Sequence, residues 1–159
     1  MTSVYLVDDH AMVREGLRAV LEHAALHVVG EADEPTQALA DVLRLQPQLL
    51  MLDLNLGARS GFELLERVQQ RKLATRTIVL TMSEQPRDVA QALRLGAQGY
   101  VLKGSPARDV LAAVQGDPAL AAWSTPRPAR RGLATCSAAT HGRSSRTKTT
   151  VMAPSRATP

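Results

Sequence analysis

Five short apolar runs mark the first two thirds of the chain, and between them apolar residues recur every three to four positions. Val4-Tyr5-Leu6-Val7, Val28-Val29, Leu49-Leu50-Met51-Leu52, residues 77–81 and Gly99-Tyr100-Val101-Leu102-Lys103 read as strands. The run at 49–52 has no polar alternation, which suits a strand covered on both faces, as in a parallel sheet. The intervening stripes predict amphipathic helices: Met12, Val13, Leu17, Val20, Leu21 and Ala24; Leu39, Val42 and Leu43; Phe62, Leu65 and Val68; Val89, Ala92 and Leu93; Val110, Leu111 and Val114. End signals agree with these stripes. Asp9 can cap the first helix, Glu34-Pro35 and Pro86 open the second and fourth, and Ser60 with Glu63 forms a capping box for the third. Ser105-Pro106 starts the fifth helix, Gln46-Pro47 stops the second, and Gly96 is a left-handed cap. Five strands alternating with five helices imply right-handed crossovers and an α/β, doubly wound parallel sheet with helices on both faces. The pattern leaves the order of the strands open.

The polar residues that close these runs change the picture. Asp8 and Asp9 follow the first run, Asp53 follows the central one, Thr81 ends the fourth and Lys103 ends the fifth. In open α/β sheets the carboxyl ends of the strands are where ligands bind, so one rim could gather all five. Three carboxylates so placed repel one another unless a cation sits among them. A hard ion such as Mg²⁺ takes oxygen ligands and keeps some of its waters, a lysine ammonium balances charge, and a threonine hydroxyl can bond a phosphoryl oxygen. Blander readings exist for each: a helix cap for the two acids, a solvated strand end for Lys103, ordinary strand or core positions for Thr81 and Tyr100. His10, His23 and His27 read as surface or helix-end residues without metal-ligand spacing.

Charge divides the chain. The net charge of +4 conceals 12 basic and 15 acidic side chains in residues 1–123, against seven basic and no acidic ones in 124–159. Aromatics are only 3% of the chain, so its core must be aliphatic. Cys136 is the only cysteine, in keeping with a reducing compartment. The N-terminus has no signal-peptide pattern and no run approaches membrane-spanning length, so a cytoplasmic protein without membrane partners is expected.

Asp8-Asp9, Leu52-Asp53-Leu54-Asn55, Leu80-Thr81-Met82 and Gly99-Tyr100-Val101-Leu102-Lys103 resemble the receiver domain of two-component response regulators. Asp9-His10 with Val13-Arg14-Glu15-Gly16-Leu17, and Val28-Val29-Gly30-Glu31-Ala32, resemble the NarL/FixJ-type transcriptional regulators in particular. The resemblance implies a flavodoxin-like (CheY-like) five-stranded sheet of order 2-1-3-4-5. It implies that Asp53 is the phosphoacceptor, taking its phosphoryl group from a histidine kinase. By the same resemblance Asp9 binds Mg²⁺ directly, Asp8 mainly through water, and the backbone carbonyl of Asn55 is a further ligand beside Asp53. Lys103 pairs with the phosphoryl group, Thr81 moves to bond it, and Tyr100 turns inward, altering the surface of the fourth helix, fifth strand and fifth helix. Homodimers through that surface, or through the first and fifth helices, are also implied.

Two departures accompany the resemblance. Gly57 stands where the family usually has proline, which predicts a more mobile loop after the phosphoacceptor strand. The second lies at the end. A receiver is expected at 1–116, but acids, periodicity and caps all vanish near Gln115-Gly116-Asp117, so 117–159 is expected to be a basic, disordered tail produced by a shift of the reading frame. No helix-turn-helix pattern follows, so sequence-specific DNA binding is not expected, and a shortened fifth helix would expose apolar surface. The reading is of a signalling module that is not an enzyme. Two alternatives belong to other classes: a transcriptional regulator touching DNA through the tail or a partner, and a Mg²⁺-dependent aspartyl phosphohydrolase. The first predicts strongly salt-dependent DNA binding. The second predicts multiple turnover, although its nucleophile normally follows the first strand and Asp53 follows the third.

Overall fold

The alternation of side chains along each strand sorts the core into two layers. In the computed structural model, which describes residues 1–116, β1 (Ser3–Val7) sends Tyr5 and Val7 to one face of the sheet and Val4 and Leu6 to the other. β3 (Leu49–Leu52) repeats the split, with Leu50 and Leu52 on the first face and Leu49 and Met51 on the second. This period of two is hidden in the sequence because both faces are apolar. The helices α2 (Pro35–Leu45), α3 (Gly61–Gln70) and α4 (Pro86–Arg94) cover the first face through Ala38, Val42, Leu64, Leu65, Val68, Val89 and Ala92. The helices α1 (Ala11–His23) and α5 (Ala107–Gln115) cover the second through Leu21, Val110 and Val114.

With β2 (His27–Ala32), β6 (Arg76–Thr81) and β7 (Gly99–Leu102), the main sheet has the order β2-β1-β3-β6-β7, and all its neighbours pair in parallel. This is the flavodoxin-like order 2-1-3-4-5 once the two short strands β4 (Asn55–Leu56) and β5 (Arg59–Ser60) are set aside. Those two form a separate antiparallel hairpin where the sequence suggests a plain loop.

Several local expectations are corrected. Asp9 does not cap α1. The N-cap is His10, whose N–H donates to Asp8 Oδ1 at 2.8 Å. The Ser60 hydroxyl does cap α3, but it accepts from Phe62 N–H rather than from the Glu63 N–H of a full capping box. The N-cap of α5 is Pro106, not Ser105. Met12 and Leu93 are exposed, at 86% and 40%, because the interior stripes of α1 and α4 are narrower than the apolar pattern suggests. Gly96 does take the left-handed conformation that ends α4, with φ 91°. The expectations for residues 117–159, including disorder and a shifted reading frame, lie outside the described residues.

Candidate functional site

The parallel ladder continues one residue past each strand, and that residue carries the chemistry. Asp8 N–H donates to Ala32 O, Asp53 N–H to Val7 O at 2.8 Å, and Lys103 N–H to Thr81 O at 2.8 Å. Backbone pairing therefore fixes the Cα positions of Asp8, Asp53 and Lys103 at one carboxyl edge, and their side chains meet. Lys103 Nζ lies 2.6 Å from Asp53 Oδ2 and 2.7 Å from Asp8 Oδ2. All three side chains are buried.

Burial raises the Asp53 carboxyl pKa above its ordinary value, and hydrogen bonds from Lys103 and the Asn55 N–H only partly offset it. Burial also works against the Lys103 ammonium, yet its bonds to Asp53 and Asp8 outweigh that penalty and its pKa is raised. One ammonium facing three nearby carboxylates leaves the edge with excess negative charge.

Asp9 sits on the shallower side of the cluster. Its Oδ2 accepts from Gly57 N–H at 3.0 Å, and its Oδ1 lies 2.7 Å from His10 Nδ1. Asp9 Oδ1 and Asp8 Oδ2 are buried without a hydrogen-bond donor; Lys103 faces Asp8 Oδ2 as an ion pair, and His10 can face Asp9 Oδ1 so only when protonated. Ligand atoms of Asp8, Asp9, His10 and Asp53 all lie within 4.8 Å of one another. Unsatisfied carboxylate oxygens gathered in a net negative cluster suit a hard divalent cation. His10 corrects the expectation of a histidine without metal-ligand spacing: the helix N-terminus brings it to the cluster.

On the far side, Thr81 is fully buried and its Oγ1 accepts from Ser83 N–H at 3.2 Å. Tyr100 donates its hydroxyl to the Ser83 carbonyl at 2.7 Å. Burial first, and then nearby Asp88, push the Tyr100 phenol up to about 12. The ring is inside, at 6% exposure. The phenol needs a partner when buried, and the Ser83 carbonyl supplies it.

Three contributors escaped the sequence reading. A Cβ on Gly61 would stand 2.1 Å from the Asp53 carbonyl oxygen, so glycine is what lets α3 start against the end of β3. Arg14 donates from one guanidinium nitrogen to the Asp8 carbonyl at 2.7 Å and from Nε to Glu31, tying the acidic loop to β2. Glu31 is held below the usual carboxylate range, first by its hydrogen bond from Arg18. Gly57 turns the β4–β5 hairpin with φ 61°. The capping-box signal of Ser60 with Glu63 placed the helix start beside Gly61, and Arg14 and Glu31 entered only as parts of the family resemblance.

The model of the response regulator receiver domain matches residues 4–115, well over half the chain. This chain belongs to the response regulator receiver family. The Escherichia coli K12 nitrate/nitrite response regulator NarL is 36% identical over 113 residues, which cover 70% of this chain and 52% of that protein. The receiver thus spans about half the length of the curated relatives it matches. Among solved structures, a LuxR-family two-component response regulator from Aurantimonas sp. SI85-9A1 is 31% identical with a TM-score of 0.69, covering 77% of this chain and 87% of that one. The isolated receiver domain of RcsB from Salmonella enterica serovar Typhimurium is 28% identical with a TM-score of 0.68, covering 79% of this chain and 99% of that one. No helix among the described residues is long and apolar enough to cross a membrane.

Proposed function

We propose that this receiver accepts a phosphoryl group on Asp53 from the phosphohistidine of a histidine kinase, with Mg²⁺ held at Asp8, Asp9, Asp53 and the Asn55 carbonyl. The observation that carries the reading is the buried Lys103–Asp53–Asp8 contact beside an acidic group with unsatisfied oxygens. An Asp53 carboxylate oxygen forms a bond to phosphorus as the P–N bond of the donor breaks, and the imidazole leaves to take a proton from solvent. No separate base is needed, because the nucleophile is already the ionised carboxylate. The bound cation would neutralise charge on the phosphoryl oxygens. Lys103 holds one Asp53 oxygen and can follow the phosphoryl group as a compact point charge. Relatedness supports the reading: the RcsB receiver domain was solved with the phosphomimetic BeF₃⁻.

Thr81 and Tyr100 grip Ser83 from its two backbone sides. A Thr81 hydroxyl that turns to a phosphoryl oxygen releases the Ser83 N–H, so the signal leaves through the Ser83–Gln85 loop toward α4, β7 and α5. Dimerisation through that surface or through α1 and α5 belongs to the same reading, as do a cytoplasmic location and a role as phosphoacceptor rather than enzyme. The test is incubation with acetyl phosphate, with and without Mg²⁺, read by intact mass. Wild type gains one phosphoryl group only with the metal and Asp53→Asn gains none; labelling that survives in Asp53→Asn, or multiple-turnover phosphatase activity, overturns the proposal.

A further inference from the structure

Asp9 is the most exposed carboxylate of the cluster, and it stands two residues past the end of β1 with the His10 imidazole beside its Oδ1. Its side chain is 28% exposed against 2% for Asp8 and Asp53. It nevertheless holds one orientation: Oδ2 takes the Gly57 N–H at 3.0 Å, which leaves Oδ1 buried and without a donor beside the other ligand atoms. Gly57 can reach it because of its place in the hairpin. Residues 57 and 58 are the two loop residues between β4 and β5, and φ is +61° at Gly57 but not positive at Ala58. That combination is a turn with a left-handed first central residue, which glycine enters without strain. A Cβ there would meet nothing closer than Asp9 Oδ2 at 3.9 Å, so backbone conformation and the free N–H, rather than space, are what the position uses.

We propose that Gly57 is a positioning residue for metal capture: its N–H pins Asp9 Oδ2 so that Oδ1 is presented to a divalent cation. The inference rests on the metal reading above. Hydrogen bonds to the carboxylates that ligate a metal orient them, and removing such a partner typically weakens metal binding at least tenfold. The Gly57 N–H would be such a partner, reaching from the β4–β5 hairpin to the loop after β1 and thereby coupling the two segments that flank the phosphoacceptor.

The test measures Mg²⁺ and Mn²⁺ affinity of the full chain by calorimetry, together with metal-free melting temperature. Gly57→Pro removes the N–H and forces φ negative. Two synthetic chains separate these effects: D-alanine at position 57 keeps the N–H and a positive φ, whereas D-proline keeps the positive φ and lacks the N–H. Expected are affinity near wild type for D-alanine and about tenfold weaker binding for D-proline and Gly57→Pro. Equal affinity of the D-proline and wild-type chains overturns the inference, and so does a D-alanine chain as weak as D-proline. A purely structural role would lower the melting temperature and leave affinity unmoved. A wild-type chain that binds neither ion would instead sink the functional reading itself.

Discussion

The two halves of the acidic site are built by different means. The deep half, Asp8, Asp53 and Lys103, hangs on the ends of three paired strands and is closed by ion pairs of 2.6 and 2.7 Å. The shallow half, Asp9 with His10 and Gly57, hangs on loops and is held by one backbone N–H and one imidazole contact. Strand ends cannot drift without breaking the sheet, so the deep half is as rigid as the core. Loop groups can reorient, so the shallow half can admit an ion and its waters.

The largest break of this contrast is expected from Lys103→Met, which leaves two buried carboxylates facing each other without a cation. Removing one partner of a buried charge group costs on the order of 3 kcal/mol, which urea denaturation at neutral pH would show as a lower midpoint. Gly61→Ala follows. Its Cβ would overlap the Asp53 carbonyl and the Leu54 Cα, both backbone, so α3 or the end of β3 must shift; a loss of about 2 kcal/mol is expected from overpacking. Either variant at wild-type stability would show that the edge is not the rigid half.

A pH series sharpens the same comparison. The folded-state pKa of Lys103 is raised, so its contribution to stability is fully present below its ordinary value of 10.5 and is lost as pH rises through the folded value. Asp53 is also raised, so burying it favours folding most at low pH and less as pH rises through its own folded value. Denaturation curves should therefore lose stability on the alkaline side in wild type and lose less in Lys103→Met, where the remaining loss comes from raised phenols such as Tyr100. The smallest effect belongs to the shallow half. Asp9→Asn keeps an oxygen for the Gly57 N–H and should change metal-free stability by less than about 0.5 kcal/mol. It should abolish most of the roughly 1.4 kcal/mol that Mg²⁺ at ten times its Kd adds to wild type. A large metal-free loss in Asp9→Asn would place Asp9 in the rigid half instead.

Most of the deep half was legible. A carboxylate directly after an apolar run is bound to emerge at a sheet edge, and Asp8, Asp53 and Lys103 follow that rule because their backbone groups still pair with Ala32, Val7 and Thr81. The shallow half was legible only in part. Asp9 read as a magnesium ligand that could also cap the first helix, but His10 read as a surface histidine and Gly57 as a source of mobility. The contact that orients Asp9 was out of reach of local pattern, because Gly57 is 48 positions away in the sequence. Tyr100 shows the same limit, since its buried state depends on the carbonyl of Ser83, 17 positions away.

By itself the sequence determined which segments form the strands of the main sheet and the five helices, that the sheet is parallel and covered on both faces, and which polar residues leave it at the carboxyl edge. These follow from local periodicity and the direction of the chain. Only the tertiary structure decided the strand order, the division of the helices between the two faces, and which carboxylate oxygens are satisfied and which are offered to a cation. Those depend on contacts between residues far apart in sequence, where a shift of a few tenths of an ångström separates a hydrogen bond from none, and no local pattern encodes that.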